Sequence, residues 1–234
     1  MPVQPAIPEH IANVRANLAE VERLLDIHQT LTGTGPGRRR TVQVLNKSAV
    51  LLLVATWEAY VEDLAILACR FVVENASDTT EVPERALVQT SRRLERDKRD
   101  NSIWRLSGDV WKNELLAQAE IEASQLNSPS AKNIDKLFEN TLGLRHLSQN
   151  WYWAGGSRAS TINRLDKLIE IRGEIAHRVA VNDAVTKAYV RRSIALILRL
   201  GAVSSNRVHT YISNIVGKDP WRSIGTDQLT EDIN

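Results

Sequence analysis

The sequence predicts an all-α protein, and two observations carry that expectation. Apolar residues recur at steps of three and four through several separate stretches, and no stretch of useful length alternates apolar with polar residues as a half-buried strand would. Turn-forming segments fall between the periodic ones: TGTGPG at 32–37, LNSPSA at 126–131 and the Gly155–Gly156 pair. A chain of 234 residues can bury a substantial core as one domain or two small ones. We read 1–216 as a single helical domain, with 80–155 elaborating its bundle, and 217–234 as a polar tail.

The first helix covers 9–31. Pro8 suits its opening, and Ile11, Val14, Leu18, Val21, Leu25 and His28 mark one face. TGTGPG stops it and leads into Arg38, Arg39 and Arg40, a run that either contacts a nucleic-acid backbone or is a solvated face. The glycines do not spell a phosphate-binding loop, for no Gly-Lys-Ser/Thr follows and no strand precedes. The second helix, 43–74, is apolar all round at 49–55 and so is expected at the centre of the bundle. Glu58 and Glu62 interrupt it at one-turn spacing, and Cys69 reads as a core residue.

Pro83 opens a third helix running to about Asp97, and the mixed charges of 92–105 read as a solvated helix end and loop. Asp109 is placed to cap a fourth helix through Ala123, with Trp104 and Trp111 clamping it. Ile134, Leu137 and Phe138 give a short fifth helix ended by Asn140–Gly143. Trp151, Tyr152 and Trp153 follow, either a platform on which bases stack or anchors that hold an irregular connection to the core. A sixth helix, 161–178, is capped by Ser160 or Thr161; a seventh, 183–200, by Asn182 or Asp183; and a last short one covers 204–216.

The sixth helix carries the most informative pattern. Leu165, Leu168, Ile169, Arg172, Ile175, Ala176 and Val179 form an apolar stripe with one arginine in its middle. An unpaired arginine there is costly. Either the stripe faces a wet groove, or Arg172 meets a carboxylate such as Glu58, or it awaits an anion such as phosphate. In the second case, breaking the buried pair on one side would cost about 2–4 kcal/mol. His177 lies five residues on, about 140° round the wheel and about 7.5 Å along the axis.

Arg172–Gly–Glu–Ile–Ala–His177, together with LLLVATWEAYVEDL (51–64) and SPSAKNIDKLFENTLGL (128–144), resembles the HEPN superfamily, most closely its RiboL-PSP type. The resemblance covers about residues 45 to 200. It implies a core of four long antiparallel helices with additional short ones. It also implies a metal-independent endoribonuclease of defence or toxin–antitoxin kind, acting as a homodimer whose site is built from both protomers. On this reading Arg172 clamps phosphate and His177 is the general acid/base. Glu174 could orient the His177 ring, and Arg178 joins Arg38, Arg39, Arg40, Trp151 and Trp153 as RNA-binding candidates. Many family members carry Asn, Asp or His directly after the arginine, where this chain has Gly173. A non-catalytic module that binds RNA or a partner protein through the same groove is the alternative.

The chemistry of other classes finds little purchase. HExxH and CxxC are absent, and the five histidines have no metal-ligand spacing among nearby carboxylates, so no metal or cofactor is expected. One cysteine argues against a disulfide scaffold. Net charge is +2, but 22 of the 30 basic residues are arginine, which suits phosphate and equally suits plain solubility. The longest apolar run stops at Glu58, short of about 20 residues, and no signal peptide is visible. A soluble cytoplasmic protein is expected, with RNA, a second copy of the chain and an inhibitor or antitoxin protein as its partners, and no membrane.

Overall fold

The computed structural model describes residues 7–32, 43–97, 105–178 and 185–225. Seven α-helices follow one another among them: α1 (Glu9–Thr32), α2 (Gln43–Asn75), α3 (Glu84–Arg96), α4 (Val110–Ser124), α5 (Ala131–Leu142), α6 (Arg158–Arg178) and α7 (Lys187–Val216). Single 3-10 turns stand at Thr79–Glu81 and Leu147–Asn150. The protein is all-α, as the periodicity predicts, and none of the helices searched among the described residues is long and apolar enough to cross a membrane.

Contacts group the chain into two compact units. The first takes the described parts of Met1–Tyr60, Tyr152–Val203 and Ile224–Asn234; the second takes those of Val61–Trp151 and Ser204–Ser223. Most of the 80–155 segment therefore belongs with the second halves of α2 and α7.

In the first unit, α1 buries the face its spacing marks, Ile11, Val14, Leu18, Val21 and Leu25. Val50, Leu53, Val54 and Trp57 of α2 and Val190, Ile194 and Ile197 of α7 are equally buried. Asn46 Nδ2 donates to the Val185 carbonyl at 2.8 Å, which ties the start of α2 to the approach to α7. Tyr60 stacks on Trp57 with centroids 5.7 Å apart and donates its hydroxyl to the Gly201 carbonyl at 2.6 Å. A Cβ at Gly201 would stand 3.5 Å from the Tyr60 ring, so the helix passes that ring closely and does not break.

That continuity corrects the expected division at 200–204: α7 is one helix of 30 residues. Gly201, Ser204 and Ser205 are weak helix formers in isolation, but all three are buried, and tertiary packing outweighs propensity. Its first turn is capped by Thr186, whose Oγ1 accepts the Tyr189 N–H at 3.1 Å; the expected caps Asn182 and Asp183 lie outside the described residues.

In the second unit α3, α4 and α5 pack on one another. Glu114, nearly fully buried, accepts Arg93 at 2.6 Å and Arg105 at 2.5 Å, so its charge is compensated twice. Gly143 ends α5 at φ 70°, with Leu144 N–H reaching back to the Phe138 carbonyl. Asp109 makes no side-chain cap to α4, contrary to expectation, and stands 3.9 Å from Lys112. Trp111 is buried, while Trp104 lies outside the described residues. Cys69 is buried, and desolvation pushes its thiol up to about 12.

Candidate functional site

The site is built on α6, and two glycines aim that helix. Trp153 and Gly156 exchange backbone hydrogen bonds of 3.1 and 2.9 Å, and Gly155, at φ 85°, allows the reversal between them. A Cβ on Gly156 would stand 2.7 Å from Trp153 Nε1, so the indole needs the bare backbone there. Ser157 Oγ then accepts the Ser160 N–H at 3.2 Å and caps the helix three residues earlier than Ser160 and four earlier than Thr161, the two residues proposed for that task. Thr161 is buried instead.

The buried stripe of α6 runs Thr161, Leu165, Leu168, Ile171 and Ile175. This is rotated from the expected stripe: Ile171 joins it, Ile169 is half-buried, Ala176 is exposed, and Val179 lies outside the described residues. The rotation moves Arg172 from the middle of the stripe to its edge, where it is half-buried.

Glu58 of α2 is half-buried too, and burial raises its carboxyl pKa while the Arg172 guanidinium opposes that rise. Burial wins. The two groups therefore feel one another, yet among the described residues they form no contact ion pair. The cost of 2–4 kcal/mol expected for breaking a buried pair does not apply; coupling of this kind is worth about 0–1 kcal/mol. Arg172 has no hydrogen bond or ion pair among the described residues, which leaves its donors open to solvent or an anion.

His177 is exposed at the end of α6. Glu174, half-buried, makes no hydrogen bond to its ring among the described residues, so nothing in the geometry orients the imidazole through that residue. A Cβ at Gly173 would meet nothing within 4 Å, so no neighbour within the described residues requires a glycine there. One copy of the chain thus presents a half-buried arginine and an exposed histidine on different faces of one helix. No group of three or more His, Cys, Asp or Glu side chains among the described residues is placed to share a metal ion.

The other candidates separate cleanly. Trp151 is fully buried and its indole N–H donates to Ser204 Oγ at 2.9 Å; no face remains for a base, and the anchoring role is the one it fills. Trp153 is half-buried, with the Arg199 guanidinium 5.9 Å from its ring centroid. Arg38, Arg39 and Arg40 lie outside the described residues, as does the side chain of Arg178.

Sequence reasoning missed a groove between α6 and α7. Its cavity volume is about 600 Å³, and Arg164, Lys167, Tyr189, Arg192, Ser193 and Leu196 line it. The available signal was Arg164 and Lys167 three residues apart on the helix that bears the motif, but the arginine that completes the set comes from the next helix and has no motif around it.

A family model described as RiboL-PSP-HEPN matches residues 15–208. No curated protein and no solved structure matches the chain.

Proposed function

The chain belongs to the RiboL-PSP-HEPN family, and from that membership we propose that it is a metal-independent endoribonuclease working through Arg172 and His177. The observation that carries the reading is the state of these two residues on α6: a half-buried arginine whose donors are unengaged among the described residues, and an exposed histidine five residues later. Neutral His177 takes the proton from a ribose 2′-hydroxyl, whose oxygen attacks the adjacent phosphorus. The bond to the 5′-oxygen breaks, that oxygen regains a proton, and a 2′,3′-cyclic phosphate is left. Arg172 offsets the charge that grows on the non-bridging oxygens. A defence role in the cytoplasm, with an inhibitor protein as partner, goes with this reading.

Purified protein in EDTA should nick single-stranded RNA to cyclic-phosphate ends, and H177A and R172A should each lose at least about tenfold in rate. Full activity in H177A would defeat the assignment. Gly173 favours one alternative, because no polar group follows the arginine: a module that binds RNA or protein without cutting. Retained RNA binding with no cleavage by the wild type would establish that alternative.

A further inference from the structure

The α6/α7 groove gathers positive charge that nothing inside it balances. Arg164 and Lys167 come from one wall and Arg192 from the other, and none of the lining residues carries a carboxylate. Arg164 is held in place by donating Nη2 to the Arg192 carbonyl at 3.2 Å. Lys167 reaches Glu170 at 3.1 Å, which leaves the two guanidiniums as the groove's uncompensated cations among the described residues. Clustered like charges repel one another in the free protein, and an anion seated among them removes that repulsion.

A second observation points the same way. Tyr189 lines the groove, and its Oη, closed to water, has no hydrogen-bond partner among the described residues; the Ser193 hydroxyl is near enough to lower the phenol's pKa, but its Oγ donates to the Tyr189 carbonyl at 3.0 Å. Burial raises the phenol's pKa, so the group stays a donor. A turn of the ring that opens this donor to the groove would set it beside two guanidiniums, an arrangement complementary to a phosphate oxygen.

Position decides which phosphate. Arg164 is eight residues from Arg172, about 12 Å along the axis and about 80° round the wheel, while His177 lies about 20 Å and about 140° away from Arg164. A strand clamped at Arg172 and winding round the flank of α6 reaches the groove a few nucleotides away. We propose that the α6/α7 groove grips the phosphodiester backbone of a single RNA strand, through Arg164, Arg192 and Tyr189, beside the bond that Arg172 and His177 address. The identity of the strand rests on the ribonuclease reading; the groove does not.

The test is fluorescence anisotropy with the full chain and a short single-stranded RNA, labelled and 2′-O-methylated at every ribose so that it cannot be cut. R164A/R192A should weaken binding about tenfold or more, and should flatten the dependence of log K on log salt by about 1.4 between roughly 50 and 200 mM, because each lost single-strand contact removes about 0.7. Y189F should weaken binding severalfold while leaving thermal stability unlowered, an outcome that a purely structural phenol would not give. R23A, which removes an exposed arginine of α1, should change neither affinity nor slope.

Wild-type affinity retained in R164A/R192A, a loss shared equally by R23A, or no binding by the wild type would overturn the proposal. So would complete displacement of the RNA by 5′-AMP near the RNA's own Kd, since that marks a mononucleotide site. A wild type that binds this RNA through the groove yet leaves unmodified RNA whole would sink the ribonuclease reading and leave the groove standing.

Discussion

His10 shows how one side chain ties stability to pH. It is buried on α1 with its ring 6.1 Å from that of Tyr60, and desolvation lowers its pKa to about 4 from an ordinary value of 6.5. The unfolded chain therefore binds a proton at pH 5 that the folded chain refuses. Its contribution is complete above pH 6.5 and is lost progressively as pH falls toward 4. Urea unfolding should show about 2 kcal/mol less stability at pH 5 than at pH 7.5 from this group. H10F, which keeps a ring beside Tyr60, should lack that increment. An identical pH dependence in H10F and wild type would show that His10 takes up its proton in the folded state as readily as in the unfolded one.

At the scale of the helix, Gly173 is the anomaly of α6. Glycine in a helix interior costs about 1 kcal/mol against alanine, and a methyl group at this position meets nothing within 4 Å among the described residues. In dilute protein G173A should raise stability by up to about 1 kcal/mol, read from the shift in urea midpoint at constant slope. A loss of stability would mean that the added methyl group meets a neighbour within the same copy.

The helices themselves were legible because their apolar spacing repeats over many turns, and α1, α2 and α6 lie close to where that spacing puts them. The α7 break was misread because Gly201 and the following serines look like a stop until Tyr60 is seen against them. Arg172 and His177 stand out in the sequence as candidates through the family resemblance, whereas the groove that Arg164 and Arg192 line leaves no local pattern, since two helices share it.

For the whole molecule the separation of Arg172 and His177 has to be resolved. About 140° apart on one helix, they do not converge on a single phosphate within one copy. A two-fold axis running past α6 would set His177 against Arg172 of the partner subunit, and the open space at Gly173 would let the two helices approach. We propose such a homodimer. R172A and H177A protein, each nearly inactive alone, should regain cleavage on mixing, because each heterodimer rebuilds one intact site. Light scattering should show twice the chain mass at tens of micromolar. A monomer that cleaves RNA at full rate would exclude the arrangement.

The lone cysteine makes these experiments tractable. With Cys69 buried and its thiol held at about 12, alkylating reagents meet almost no thiolate in the folded chain, and they modify it at the rate at which its surroundings open. Maleimides should therefore label the native protein only slowly. A cysteine introduced at exposed Ala176 becomes the one readily addressable point, against little background, for a dye, a spin label or a covalent bridge between two copies.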